Sequence, residues 1–338
     1  MPITRAQDVL NGERLALTRA LTHIENNTSE GKQILEEIFP HTGKAHLIGV
    51  TGAPGTGKST LVNQFVLKLR NPGQGQDPPT VAIIAIDPTS PFSGGALLGD
   101  RVRMQDLAGD PGIFVRSMAS RGSLGGLAST TAGLVQVFDA AGFELILIET
   151  VGAGQSEVEI ASLAHTTIVV EAPGLGDEIQ TIKAGILEIA DILVVNKADK
   201  PGADNSLRAL RAMLAHTQND QVTHHGEMMA VDLPEPEGQS ISWVPPVLPT
   251  VSTTGEGIRE LIQQVFAHQD YLQESGEWQV RDAARLKSEL ENLLGAALRT
   301  HWESSISENE YKKVLSKVIT RKTSPGKAVE VLLKGAGI

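Results

Sequence analysis

The chain has 338 residues, a formal net charge of −11 and no cysteine. That length predicts one main domain of roughly 200 to 230 residues with helical additions. The lack of cysteine excludes disulfides, thiolate metal sites and cysteine nucleophiles, and an acidic chain without a lysine or arginine stripe argues against nucleic-acid or anionic-membrane partners.

At the amino end, Met1 to Glu30 mixes charges and has no apolar core, so it does not read as a signal peptide. No stretch is long enough to span a bilayer, and a soluble cytoplasmic protein is expected. Val9, Leu15, Leu17, Leu21, Ile24, Ile34, Leu35 and Ile38 recur at helical spacings and predict two or three short helices, ended by Pro40 to Gly43. Beyond them, β-rich runs alternate with helical stretches, which indicates an α/β fold with a mostly parallel sheet covered on both faces. Strands are expected at 45–50, 80–86, 113–117, 144–149, 166–171, 191–196 and 247–251. The turn chemistry of 71–79 reads as a surface loop, and 219–246 as an irregular excursion carrying little chemistry. His224 and His225, inside that excursion, read as solvated rather than as metal ligands. From Ile258 onward the pattern is helical, with a break near Ser275-Gly276.

The run Gly49-Val-Thr-Gly-Ala-Pro-Gly-Thr-Gly-Lys-Ser-Thr60 places Gly52, Gly57, Lys58 and Ser59 in the G-x-x-x-x-G-K-[ST] phosphate-loop spacing, between a predicted strand and a predicted helix. The backbone of Gly52, Ala53, Gly55, Thr56, Gly57, Lys58, Ser59 and Thr60 would cradle the phosphates at a helix N-terminus. Lys58 would reach the β- and γ-phosphates, and Ser59 would offer its hydroxyl to Mg²⁺. About 140 residues later, Asn196-Lys197-Ala198-Asp199 ends another predicted strand. A carboxylate at Asp199 can accept from the ring N–H and amino group of guanine together, so GTP and GDP are the expected ligands. Ser252 and Thr253, after the last strand, occupy a further base-contacting position.

Glu149-Thr150-Val151-Gly152 ends the strand 144–149, where guanine-nucleotide switches carry a carboxylate for Mg²⁺ and a glycine N–H that senses the γ-phosphate. Glu149, Asp87 and Asp100 are therefore the candidate acidic shell around Mg²⁺, largely through waters. Ala153 stands where a water-orienting Gln is common, so slow intrinsic hydrolysis is expected. Asp177, Gln180 and Lys183 lie in a candidate loop that would complete the catalytic set, although Asp177 reads equally well as a helix N-cap. The domain plan is an N-terminal helical arm at 1–43, a P-loop GTPase domain at 44–270 and a C-terminal helical region at 271–338.

Together these residues resemble the MeaB/ArgK family of P-loop GTPases, formerly called LAO/AO transport ATPases. Three longer segments carry the likeness: Asp87-Pro-Thr-Ser-Pro-Phe-Ser-Gly-Gly-Ala-Leu-Leu-Gly-Asp-Arg-Val-Arg-Met104, Glu149-Thr-Val-Gly-Ala-Gly-Gln-Ser-Glu157 and Gly176-Asp-Glu-Ile-Gln-Thr-Ile-Lys183. The resemblance runs from about Gly12 to Ile262 and weakens after it. It implies a homodimer built through the C-terminal helices and a chaperone that gates cofactor loading and protects a cobalamin-dependent acyl-CoA mutase, with methylmalonyl-CoA mutase foremost. It also implies that Asp177, Gln180 and Lys183 couple nucleotide to mutase. Three rival readings are a metallochaperone-type GTPase, a P-loop kinase acting on a transport-binding protein, and a non-hydrolysing scaffold. The first lacks cysteine and clustered histidine ligands, and the second needs no guanine motif.

Overall fold

The structure is a computed structural model that describes residues 5–73, 75, 77–88, 104–107, 109–120, 126–150, 162–174, 188–221 and 242–335. Seven strands form one sheet: β1 (His46–Thr51), β2 (Val81–Pro88), β3 (Ile113–Ser120), β4 (Leu145–Thr150), β5 (Thr166–Glu171), β6 (Ile192–Asn196) and β7 (Val247–Thr250). Their spatial order is β3-β2-β4-β1-β5-β6-β7. Every pairing among them is parallel, with Gly49 opposite Ile148 and Val50 opposite Ile168 at the centre. Parallel pairing requires a crossover between neighbours and leaves both faces to be covered, which is why β1, β4 and β6 are buried at every position.

Three short helices, α1 (Ala6–Leu10), α2 (Arg14–Glu25) and α3 (Ser29–Ile38), precede the sheet. With α5 (Gly126–Ala140) they cover one face, where Val9, Leu17, Leu21, Ile24 and Ile38 pack with Phe138, Ile84, Ile146 and Ile148. Leu15 departs from the expected pattern: it is 62% exposed, because Leu17 and Leu21 already fill the buried stripe of α2. Helix α3 is capped by Thr28, whose hydroxyl accepts from Gly31 N–H at 3.0 Å. The link into β1 is held by Asp139, whose carboxylate accepts from the N–H groups of Gly43, Lys44 and Ala45 at 2.6 to 3.1 Å.

The opposite face is covered by α4 (Lys58–Leu69) and α7 (Ile258–Ser275). Leu61, Phe65 and Val66 meet Ile48, Val50, Ile83 and Leu147 there, beside Leu261 and Val265. Adjacent Ile83 and Ile84 thus serve opposite faces, as strand geometry demands. Side chains of this size contribute about 1.5–3 kcal/mol each when fully buried. A smaller core lies under α6 (Ala203–Gln221), where Leu210 meets Leu193, Val195 and Val247.

The chain divides into two compact units, Met1–Arg285 and Leu286–Ile338. Helix α8 (Glu277–Ser305) follows Gly276, which closes α7 at φ +78, and runs on into the second unit. That unit also holds α9 (Glu308–Ile319), opened by a Ser307–Glu310 capping box, and α10 (Pro325–Gly335). Within it, Trp302 meets Tyr311 edge-on at 5.9 Å, and a cavity of about 450 Å³ is lined by Trp302, Tyr311, Leu315, Ala328 and Val329. Leu290, Leu293, Leu294 and Leu298 of α8 are exposed. No helix among the described residues is long and apolar enough to cross a membrane.

Candidate functional site

Because all strands run the same way, the loops after β1, β6 and β7 open on one edge of the sheet, where β4 also ends. The turn after β1 is the glycine loop. Gly52 has φ +137, and a Cβ there would lie 2.0 Å from the Val170 carbonyl of β5. Only glycine allows that approach. Gly57 stands at φ +95 as the N-cap of α4, and a Cβ there would come within 2.5 Å of Asn196 Nδ2. Lys58 is buried, and its Nζ donates to the carbonyls of Gly52 at 2.6 Å and Ala53 at 3.0 Å, which holds the ammonium across the loop.

Ser59, on the first turn of α4, donates its hydroxyl to Glu149 Oε1 at 2.5 Å, and both residues are buried. Glu149 lies in β4 opposite Val50, so pairing of β1 with β4 brings serine and carboxylate together. These hard oxygen donors fit a magnesium ion, which favours carboxylate, hydroxyl and water oxygens. Among the described residues no three His, Cys, Asp or Glu side chains gather as a fuller metal cage. Asp87 lies in β2 opposite Ala119, and its side chain is outside the described residues. Asp100, Gly152, Asp177, Gln180 and Lys183 also lie outside them, as do Ala153, His224 and His225.

Asn196 ends β6 with both its amide nitrogen and its amide oxygen bonded. Its Nδ2 donates to the Thr56 carbonyl at 2.8 Å, while Oδ1 accepts from Thr250 Oγ1 at 3.2 Å, Ser252 N–H at 3.1 Å and Ser252 Oγ at 2.7 Å. One amide therefore joins the glycine loop to the loop after β7. Lys197 takes a left-handed φ of 57 and donates from Nζ to the Gly55 carbonyl at 2.7 Å. That conformation is uncommon for a lysine, and here it lays the stem across the glycine loop. Asp199 and Thr253 are exposed on the same edge, and no described residue bonds the Asp199 carboxylate. Sequence reasoning missed Lys68, whose Nζ donates to the Gly255 carbonyl in the loop after β7, because a lysine on a helix face carries no motif signal.

The amino edge of the sheet holds a second polar cluster that sequence reasoning also missed. His46 Nε2 lies 2.7 Å from Thr166 Oγ1, which lies 2.8 Å from His268 Nδ1, and His268 Nε2 faces Asp191 Oδ1 at 3.3 Å. Arg281 makes a two-pronged pair with Asp191 at 2.9 Å and also donates to the His165 carbonyl at 2.7 Å. His165 Nδ1 accepts from Leu47 N–H, its Nε2 faces Asp282, and its ring stacks on Trp278 at 3.8 Å. Burial drives His46 down to about 3, aided by the neighbouring His165 and His268, and burial lowers His165 as well. For Asp191 the opposing effect of burial is outweighed by His268 and Arg281, so its carboxyl is lowered. Asp282 is lowered to about 2, chiefly by His165.

A family model described as "Methylmalonyl Co-A mutase-associated GTPase MeaB" matches residues 17–307. A Pyrococcus horikoshii protein named provisionally as a GTPase is 42% identical over 96% of this chain and 94% of its own. Mouse methylmalonic aciduria type A homolog, a mitochondrial protein, is 30% identical over 96% of this chain and 77% of its own. The crystal structure of a protein called LAO/AO transport system kinase superposes with a TM-score of 0.68 at 26% identity, covering 98% of this chain and 96% of that one. That likeness fits the parallel P-loop sheet and the glycine loop tied to Asn196. The chain belongs to the MeaB family of methylmalonyl-CoA mutase-associated GTPases.

Proposed function

We propose that the protein binds GTP at the carboxyl edge of the sheet, hydrolyses it slowly, and uses that cycle to gate cofactor loading and protect a cobalamin-dependent acyl-CoA mutase. The observation that carries the nucleotide part is the bonding of Asn196 to both the glycine loop and Ser252, which makes phosphate loop and base loop one unit. In this reading the backbone of Gly52 to Thr60, with Lys58, holds the phosphates. Asp199, with Ser252 and Thr253, reads guanine. Ser59 and Glu149 hold Mg²⁺, whose chemistry is to neutralise charge on the phosphates. Asp87 and Asp100 complete that shell, the Gly152 N–H senses the γ-phosphate, and Asp177, Gln180 and Lys183 link the nucleotide to the mutase.

The family description and the mouse relative's name support methylmalonyl-CoA mutase as the client. The exposed Leu290, Leu293, Leu294 and Leu298 support a homodimer through the C-terminal unit, because an apolar stripe of that kind is characteristic of a partnered helix. A kinase reading has one point in its favour, the name of the similar crystallised protein. A kinase would need a base that activates a substrate hydroxyl and no particular guanine preference, so the Asn196 to Asp199 motif counts against it.

Steady-state hydrolysis of GTP, with and without stoichiometric methylmalonyl-CoA mutase and with ATP as control, tests the reading. A slow rate that rises at least about tenfold with the mutase, a barrier lowered by about 1.4 kcal/mol, is the expected result. Guanine-selective hydrolysis that ignores the mutase would remove this client, and preference for ATP would remove the guanine reading itself.

A further inference from the structure

Helix α4 carries the phosphate-loop residues Lys58 and Ser59 on its first turn and Lys68 on its last. Lys68 Nζ donates to the carbonyl of Gly255, in the loop between β7 and α7. That loop is folded on itself: Thr254 and Gly255 N–H donate to the Val251 carbonyl at 3.1 and 2.8 Å, and Val251 N–H donates to the Glu256 carbonyl at 3.1 Å. Its near half is held by Ser252 on Asn196. Among the described residues, Lys68 is the one side chain from outside the loop that bonds its far half.

The fit around this contact is close. Gly255 has φ +77, and a Cβ there would lie 2.8 Å from Lys68 Cε and 3.3 Å from Gln64 Oε1. A side chain at 255 would therefore displace the lysine from the carbonyl it reaches. An ammonium in the last turn of a helix is favoured by the helix dipole, and a charge-assisted hydrogen bond is stronger than a neutral one.

We propose that Lys68 is a positioning residue for base selection. By tying Gly255 to α4 it holds the Ser252–Thr253 turn against Asn196, so that one helix sets the place of the phosphates at its start and of the base loop at its end. The clamp rests on the guanine reading proposed above, in which that turn contacts the base.

The test uses the full chain as wild type, K68M and K68R, titrated with GDP, ADP and inorganic tripolyphosphate, with a thermal melt of each. Methionine keeps most of the stem and loses the bond, whereas arginine keeps a donor. K68M is expected to weaken GDP about tenfold while tripolyphosphate stays within about twofold, and K68R to recover GDP to within about threefold. Equal weakening of GDP and tripolyphosphate would overturn the clamp, since a purely structural lysine would affect both. Unchanged GDP affinity in K68M with a guanine-selective wild type would overturn the clamp alone. A wild type that binds ADP as well as GDP would remove the guanine reading and the clamp with it.

Discussion

The two edges of the sheet are made by the same strands and solve opposite problems. At the carboxyl edge, main-chain carbonyls are bridged by Lys58, Lys197 and Asn196, and the Asp199 carboxylate stands exposed. At the amino edge, His46, His165, His268 and Asp191 are buried and turned on one another. An edge that leaves a carboxylate such as Asp199 exposed can take a ligand. An edge whose charges are matched internally serves to lock helices to strands, here α7 and the first turns of α8 to β1, β5 and β6. Polar burial alone therefore does not mark the site; what distinguishes the two edges is whether the groups are consumed by the fold.

The sharpest way to break this contrast is to unmatch the amino edge. Arg281→Met leaves the buried Asp191 carboxylate without its two-pronged partner, and a loss of about 3 kcal/mol in chemical denaturation is expected. GTP affinity should hold, since the contacts lie at the other edge, and a parallel loss of affinity would show that the two edges are not separable. Lys58→Ala makes the converse cut: nucleotide affinity should fall at least about 100-fold, roughly 2.7 kcal/mol, in a titration against GTP. Normal affinity in that variant would contradict the phosphate-loop reading.

Acid sharpens the comparison more gently. His46 sits near 6.5 in an unfolded chain and about 3 in the fold, so below 6.5 the unfolded state takes up the proton first. Stability should be full above that value and decline as pH falls, by about 2 kcal/mol at pH 5 from this residue. His165 acts in the same direction. The lowered Asp191 and Asp282 contribute stability that is lost only below the ordinary aspartate value of 3.8, so denaturation midpoints measured between pH 7 and 5 isolate the histidines. A flat profile over that interval would show that the histidine cluster opens to water.

The carboxyl edge was largely legible in the sequence, because its chemistry is local. Gly52 to Ser59 is contiguous, Asn196 to Asp199 follows an apolar run, and the seven strands stand within a few residues of where alternation and apolar runs put them. The amino edge was not legible. His46, Thr166, Asp191, His268 and Arg281 come from five separate stretches and meet only because β1, β5 and β6 are neighbours. Trp243 shows the same limit: it falls in a stretch read as irregular, yet its indole N–H donates to the Asp191 carbonyl at 2.8 Å. Leu15 shows that helical spacing names a stripe and not its edges, since packing against α5 decides which flank is covered.

The amide of Asn196 has a thermodynamic consequence. Its bonds to Thr56, Thr250 and Ser252 hold the glycine loop and the base loop in register through contacts internal to the chain. Ordering a loop during binding costs entropy that subtracts from affinity, and a loop already held carries no such deduction. The bonds of Asn196 belong to the fold itself, so the ordering they impose on the two loops is a cost of folding rather than of binding.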